Sequence, residues 1–343
     1  MNRARWMKRV LPRCLVLYAL CLWAPLRASA APGRIVDGWY AHNATLIMLG
    51  ASDRIVGTVV SPARFAWMYC VVPSLHHAKL FGSMTLNAEA VLALHPDLVF
   101  VTRESGVASA LDTLGLNAVP VGFTDFDGLL ATIDRTALLL DTQEAKQQAS
   151  RYRTALTSLI RARPAGQGAL KRVLHIATLT PLTVDGDNSI VDEWIRDAGG
   201  VNAAIGIHGN KRPVALEQIL SWQPDIIVLG ADAGDPDRMM DHALWSRLSA
   251  VQQNHVFRNP AGVFNWDRYS PELLLQIVWA RQLIGTGTVD RTAMIDRITD
   301  FYRVFYRSRI DRRGAEAILD AAAPPAGSCP LDSVSGVTDH VGQ

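Results

Sequence analysis

The chain has 343 residues, 49% of them apolar, enough to bury a large core in two domains of ordinary size. Six of its 34 Lys and Arg residues and none of its 32 Asp and Glu residues fall within the first thirty positions, so the remainder carries 28 basic against 32 acidic side chains. That weakly acidic balance, with no concentrated basic patch, excludes a nucleic-acid partner.

The first element is an export signal. Arg3, Arg5, Lys8, Arg9 and Arg13 precede an apolar stretch from Cys14 to Leu26, and Ala28-Ser29-Ala30 forms a small-residue cleavage site. The apolar run is short for a membrane span. Cleavage near Ala30 and an exported, soluble mature chain are expected, with an uncleaved anchor as the alternative. Leu20 stands where lipid attachment at Cys21 needs a small residue, so a lipid anchor is disfavoured. Cys70 and Cys329 then remain, too far apart in sequence to announce a disulfide framework.

Residues 46 to 60 predict the end of a short helix, a stop at Gly50 and a buried strand. Asn87 to Leu94 has helical spacing, His95-Pro96-Asp97 breaks it, and Leu98 to Val101 is a continuous apolar strand. Leu111 to Leu114 and Ala118 to Val121 repeat the order, and Phe126 to Leu140 is an amphipathic helix. Such alternation predicts parallel sheets covered on both faces. Glu144 to Arg163 carries one apolar stripe (Ala145, Ala149, Tyr152, Leu156, Leu159, Ile160) and reaches about 30 Å as a helix, enough to bridge two lobes. An ordinary surface helix is the alternative. Beyond the polar 164–168 stretch come a strand at 172–177, a helix at 189–198, and short elements at 244–250 and 256–257. A helix over 273–283 opens on Ser270-Pro271, and a closing helix spans 300–321.

Leu86-Asn-Ala-Glu-Ala-Val-Leu-Ala-Leu-His-Pro-Asp-Leu-Val-Phe-Val101 is echoed by Val214-Ala-Leu-Glu-Gln-Ile-Leu-Ser-Trp-Gln-Pro-Asp-Ile-Ile-Val-Leu229. Glu89/Glu217, Pro96/Pro224 and Asp97/Asp225 all keep one offset, 128 residues, without a gap. The repeat implies two similar lobes with the business of the protein in the cleft between them. The expected organisation is a signal at 1–30, an N-terminal α/β lobe at 32–143, a bridging helix and linker at 144–168, a C-terminal α/β lobe at 169–321 and a disordered Ala/Pro/Gly/Ser tail at 322–343: two Rossmann-like lobes with parallel sheets joined by one long α-helix.

With the paired Glu…Pro-Asp phrases, the bridging helix, Ala198-Gly-Gly-Val-Asn202 and Asn259-Pro-Ala-Gly-Val-Phe-Asn-Trp-Asp-Arg-Tyr-Ser-Pro-Glu272, the chain resembles the periplasmic substrate-binding proteins of ABC importers for ferric siderophores, haem and vitamin B12. The resemblance covers roughly residues 35 to 315. It implies a non-enzymatic, monomeric periplasmic receptor that holds a metal chelate, a ferric siderophore first, with haem, cobalamin or a nickel chelate as alternatives, and delivers it to an ABC permease and its ATPase. It also implies that Glu89 and Glu217 dock on basic residues of the permease; the plain alternative is that each complements a helix dipole.

Ligand contacts are expected on the loops after the strands: Trp39, Tyr40, His42, Asn43, Trp67, Tyr69 and Arg103 in the first lobe; the Thr180–Asp185 loop, Trp266, Arg268 and Tyr269 in the second. Arg268 between aromatic residues suits an anionic, partly aromatic chelate. The alternative places Trp266 and Tyr269 in the core and Arg268 in a structural ion pair. His76-His77 near Cys70 matches no standard metal spacing, so no protein metal site and no resident cofactor are expected. G-x-S-x-G and H-E-x-x-H are absent, which makes an exported metal-dependent hydrolase the weaker rival.

Overall fold

The computed structural model describes residues 31–82, 84, 86–163, 170–238 and 241–329. The expected export signal, the 164–168 linker and the end of the expected tail lie outside them. In the first lobe, strands β1 (Ile35–Asp37), β2 (Ile55–Thr58), β3 (Lys79–Leu80), β4 (Leu98–Thr102) and β5 (Ala118–Val121) form a sheet of order β3-β2-β1-β4-β5. All four pairings are parallel, as the alternation predicts. Helices α1 (His42–Met48), α2 (Ala66–Val71), α3 (Ala88–Leu92), α4 (Ala108–Thr113) and α5 (Phe126–Leu140) connect and cover it. Gly50, at φ 78°, ends the α1 segment where the sequence places the stop.

The long helix α6 (Gln143–Arg161) follows, with Thr142 as its N-cap. Ala145, Ala149, Tyr152 and Leu156 of its apolar stripe are buried and Leu159 and Ile160 half-buried; Tyr152 donates to the Pro271 carbonyl of the second lobe at 3.0 Å while Arg153 pairs with Asp134 of α5. One hydrophobic core runs from Ile35 and Leu46 through Tyr152 to Trp194, Trp279 and Phe305, so the lobes share packed interior behind their cleft.

The second sheet departs from the expected parallel arrangement. Strands β6 (Lys171–Leu179), β7 (Leu182–Val184), β8 (Gly200–Asn202), β9 (Arg212–Pro213), β10 (Ile226–Leu229) and β11 (Val256–Arg258) take the order β11-β10-β6-β7-β9, with β8 also on β6. The β6/β7 and β7/β9 pairings are antiparallel because the Thr180-Pro181 turn folds β6 straight back, Leu179 facing Leu182. The sheet is therefore mixed. Around it lie α7 (Ile190–Asp197), α8 (Leu216–Trp222), α9 (His242–Trp245), α10 (Ser249–Gln252) and α11 (Leu273–Thr286). The Ser270 hydroxyl accepts the Glu272 N–H at the start of α11.

The closing helix expected over 300–321 is instead three pieces. α12 (Arg291–Phe301) runs into a π-helical turn at Tyr302–Tyr306, Arg307 turns left-handed at φ 53°, and α13 (Arg312–Leu319) starts anew on its cap Asp311. Tyr302, Phe305 and Tyr306 of this wider turn are all buried. Residues 322–329, expected as part of a disordered tail, are described and are held against the first lobe. Trp67 donates its indole N–H to the Ala322 carbonyl at 2.8 Å, and Cys70 is bonded to Cys329.

The repeat has a structural cause. Gln223 caps α8 and His95 stands three residues past the end of α3, both left-handed at φ 45°, and the following Pro-Asp enters β10 and β4. The Asp97 carboxylate accepts the N–H groups of Gly33 and Arg34; the Asp225 carboxylate accepts that of Arg172. Each aspartate so fastens the entry of its strand to the entry of the neighbouring one.

Candidate functional site

In an α/β sheet the loops after the strand C-termini converge where strand order reverses, and ligands bind there. Here those loops face one another across the lobes. Trp39 follows β1, Phe123 follows β5, and Tyr269 comes from the 259–272 loop after β11. Their ring centroids lie 5.4 to 5.9 Å apart, an aromatic trio built from both lobes. Beside it, Tyr40 stacks on Phe65 and Phe65 on Phe264, at 5.4 and 5.7 Å, again across the lobes. The Arg64 guanidinium lies 5.4 Å from the Tyr40 ring centre and 5.3 Å from that of Phe65, and pairs with Asp232 of the second lobe at 3.2 Å. Asp232 also accepts from Asn265. Offset aromatic contacts of this kind contribute about 0.5–1.5 kcal/mol each beyond their buried area.

Beneath Tyr269 lies a buried ionic cluster. His175 on β6 has Nδ1 2.7 Å from Asp185 and Nε2 2.9 Å from Asp267. Arg268 reaches Asp185 at 3.0 and 3.3 Å and Asp267 at 3.2 Å. The Asp185 carboxylate accepts from His175 Nδ1, and as an imidazolium His175 stands between two carboxylates that it balances together with the Arg268 guanidinium. Burial alone lowers the His175 pKa, but hydrogen bonding and charge from Asp185 and Asp267 reverse it to a net rise. For Asp185 and Asp267 burial pushes upward and is outweighed by Arg268 and then His175, leaving both below their ordinary value. Asp185 also accepts the Lys211 N–H at 2.8 Å, and Asn210 donates to the Tyr269 hydroxyl at 2.7 Å. The cluster thus fastens two cleft loops, 208–211 and 266–270, to the central strand of the second sheet. Burial raises the Tyr269 hydroxyl to about 12.

A second buried acid orders the same loop from behind. Glu272 accepts from Tyr302, from the Phe264 N–H and from Trp266 at 2.6, 2.7 and 3.3 Å, and burial lifts its pKa to about 7.

Of the residues nominated from sequence, Trp39, Tyr40 and Tyr269 meet at the interlobe surface, and exposed Arg103 stands on its rim with only a 3.3 Å contact to the Gly122 carbonyl. The others point elsewhere. His42 is held between Asp37 and Thr136, at 3.0 Å each, and Asn43 bridges the Trp39 carbonyl and Thr58. Trp67 faces the C-terminal segment, Tyr69 donates to the Val60 carbonyl, and Trp266 is fully buried. Arg268 takes its alternative role, an ion-pair partner. Phe123, Phe65, Phe264 and Arg64 were not nominated; Phe123, the second residue after β5, follows from the same loop rule. Among the described residues no three His, Cys, Asp or Glu side chains could hold a metal ion, and His76 and His77 are exposed.

Glu89 and Glu217 are exposed in the first turns of α3 and α8, and among the described residues neither is in an ion pair.

The family described as periplasmic binding protein matches residues 38–262, nearly two thirds of the chain. The chain belongs to the periplasmic binding proteins. This periplasmic binding protein is 24% identical over 338 residues to the molybdate-binding protein MolA of Haemophilus influenzae, covering 85% of the present chain and 96% of MolA. It is 25% identical over 196 residues to the vitamin B12-binding protein of Yersinia pestis, covering 55% and 66%. The crystal structure of a periplasmic solute binding protein from Veillonella parvula superposes with a TM-score of 0.71 at 25% identity, covering 84% and 91%. The protein is accordingly the substrate-binding component of an ABC importer, not an enzyme, and such components work with a permease and an ATPase.

Proposed function

We propose that this periplasmic binding protein, exported and trimmed near Ala30, takes a metal chelate with a flat organic face between its lobes, an aromatic ferric siderophore being the first candidate. The supporting observation is the pair of aromatic clusters, Trp39/Phe123/Tyr269 and Tyr40/Phe65/Phe264, each drawing rings from both lobes. Such rings close on each other without cargo and part to sandwich a flat one. Because Arg268 is neutralised within the second lobe, Arg103 and Lys211, exposed and in no ion pair among the described residues, supply positive charge beside the cleft. Delivery follows through Glu89 and Glu217, one exposed carboxylate per lobe, as a two-point electrostatic contact with the permease.

A second reading is favoured by the long match to MolA: a small oxyanion such as molybdate, held by Arg103, the Asn210 amide and the Tyr269 hydroxyl. Tryptophan fluorescence titration with a ferric catecholate siderophore, haem, cobalamin and sodium molybdate separates the two. Trp39 is the reporting ring, since Trp67 and Trp266 face away. Saturable quenching by a chelate and not by molybdate supports the first reading, and the reverse supports the second. A response that survives Trp39→Phe, or none to any of the four, refutes the cleft assignment.

A further inference from the structure

The lobes are joined twice. The first connection is α6; the second is the segment that leaves α13 and returns to the first lobe. α13 is seated on the second lobe, where the Ala261 N–H donates to the Ile318 carbonyl at 3.2 Å and Arg291 of α12 pairs with Asp320 at 2.7 Å. From there the chain passes under Trp67, whose indole N–H holds Ala322, and reaches Cys329, bonded to Cys70 of α2 with the Cα atoms 5.0 Å apart. Gly314 makes the close approach possible: a Cβ there would lie 3.2 Å from the Trp67 ring and 3.5 Å from the Ser328 Cβ. Upstream, Arg307 caps the end of α1 through the Ile47 and Met48 carbonyls at 2.9 and 3.2 Å. A covalent ring therefore runs through both lobes, closed by residues 259 positions apart.

Its placement is asymmetric with respect to the two aromatic clusters. Phe65 directly precedes α2, which carries Trp67 and Cys70. Phe264 lies in the loop held by α13 at Ala261 and by the Tyr302 hydroxyl, which accepts the Val263 N–H at 2.9 Å. The strap therefore joins the two segments that present the Phe65/Phe264 stack. No contact described for residues 320–329 reaches Trp39, Phe123 or Tyr269. A tie on one flank of the cleft resists parting of the lobes there more than on the flank that lacks it.

We propose that the C-terminal segment is an oxidation-dependent strap that pins the Phe65/Phe264 flank of the cleft, so that the lobes part at the Trp39/Phe123/Tyr269 flank and ligand enters there. The strap forms by thiol–disulfide exchange: the Cys70 and Cys329 thiols give up two protons and two electrons to a disulfide donor, which leaves as two thiols, as befits an exported protein. The assignment of an entrance rests on the cleft reading above; the strap itself does not.

The test uses the ligand-free, full mature chain, so its result is independent of which ligand binds. Hydrogen exchange is followed by mass spectrometry in the oxidised protein, in the folded protein after treatment with dithiothreitol, and in Cys70→Ser/Cys329→Ser. Breaking the bond is expected to speed exchange about tenfold in peptides covering 60–72 and 259–266, leaving 118–125 unchanged. Unchanged exchange at 60–72 and 259–266, or a uniform rise across the chain, overturns the proposal. Should the double variant not fold, the dithiothreitol arm gives the same two outcomes. A flat fluorescence titration defeats the cleft reading and leaves the strap standing; flat exchange defeats the strap alone.

Discussion

Replacing Arg268 by alanine leaves Asp185 and Asp267, both fully buried, facing one another with His175 as their single counter-charge. Three contacts of 3.0, 3.2 and 3.3 Å disappear at once. Breaking a buried pair by removing one partner costs about 3–5 kcal/mol, because a desolvated charge is left without compensation. Arg268→Ala is therefore expected to lower the unfolding free energy in urea, followed by circular dichroism at neutral pH, by roughly that amount, with Arg268→Lys recovering only part of it. The cluster also has a pH signature. The His175 pKa is raised above the ordinary 6.5, so its contribution to stability is complete below 6.5 and is lost as pH climbs through the raised value. Asp185 and Asp267 lie below the ordinary 3.8; their contribution is complete above 3.8 and lost as pH falls through the depressed values. Stability from the cluster is thus greatest between those two limits, and His175→Gln should flatten its alkaline decline. An Arg268→Ala protein that loses less than about 1 kcal/mol, the worth of an exposed pair, yet no longer responds to ligand, would refute this reasoning and restore Arg268 as a ligand contact.

Glu272, with its pKa raised from 4.5 to about 7, contributes stability fully below 4.5 that is lost as pH rises through 7, so Glu272→Gln should remove a decline of up to roughly 3 kcal/mol in urea unfolding over that range. Gly186→Ala places a Cβ 1.9 Å from the Ile207 carbonyl oxygen and should cost about 2–3 kcal/mol by thermal and urea unfolding, since backbone and not a movable side chain must yield. Glu89→Lys with Glu217→Lys should leave unfolding and ligand titration unchanged while abolishing uptake in cells supplied with the cognate permease; normal transport would exclude the docking role.

The duplicated lobe was legible because its signal is local. The helix, break and Pro-Asp entry at 88–98 and 216–226 are fixed by short-range chemistry, and the structure shows both aspartates tying strand to strand. β1 and β3 were not, for three and two residues are too few to show a period. The reversal of β6 into β7 turns on two residues, Thr180 and Pro181, inside what reads as a nominated loop. Placement between the lobes was legible where the rule was topological: Trp39 and Tyr40 follow β1, and Trp39 packs against Tyr269 of the second lobe. Contacts were illegible where partners come from far along the chain, as with His175, whose two carboxylates are 10 and 92 positions away. The same distance hid the Cys70 bond, because nothing across a separation of 259 positions shows that the chain returns.

That return sets an order of events. Synthesis and export proceed from the N-terminus, and local contacts form before distant ones. Yet Trp67 has its partner at Ala322, the end of α1 its cap at Arg307, and Cys70 its mate at Cys329. The first lobe therefore cannot finish folding when its own sequence has emerged; it waits for nearly the whole chain, and Cys329 completes the domain that began first.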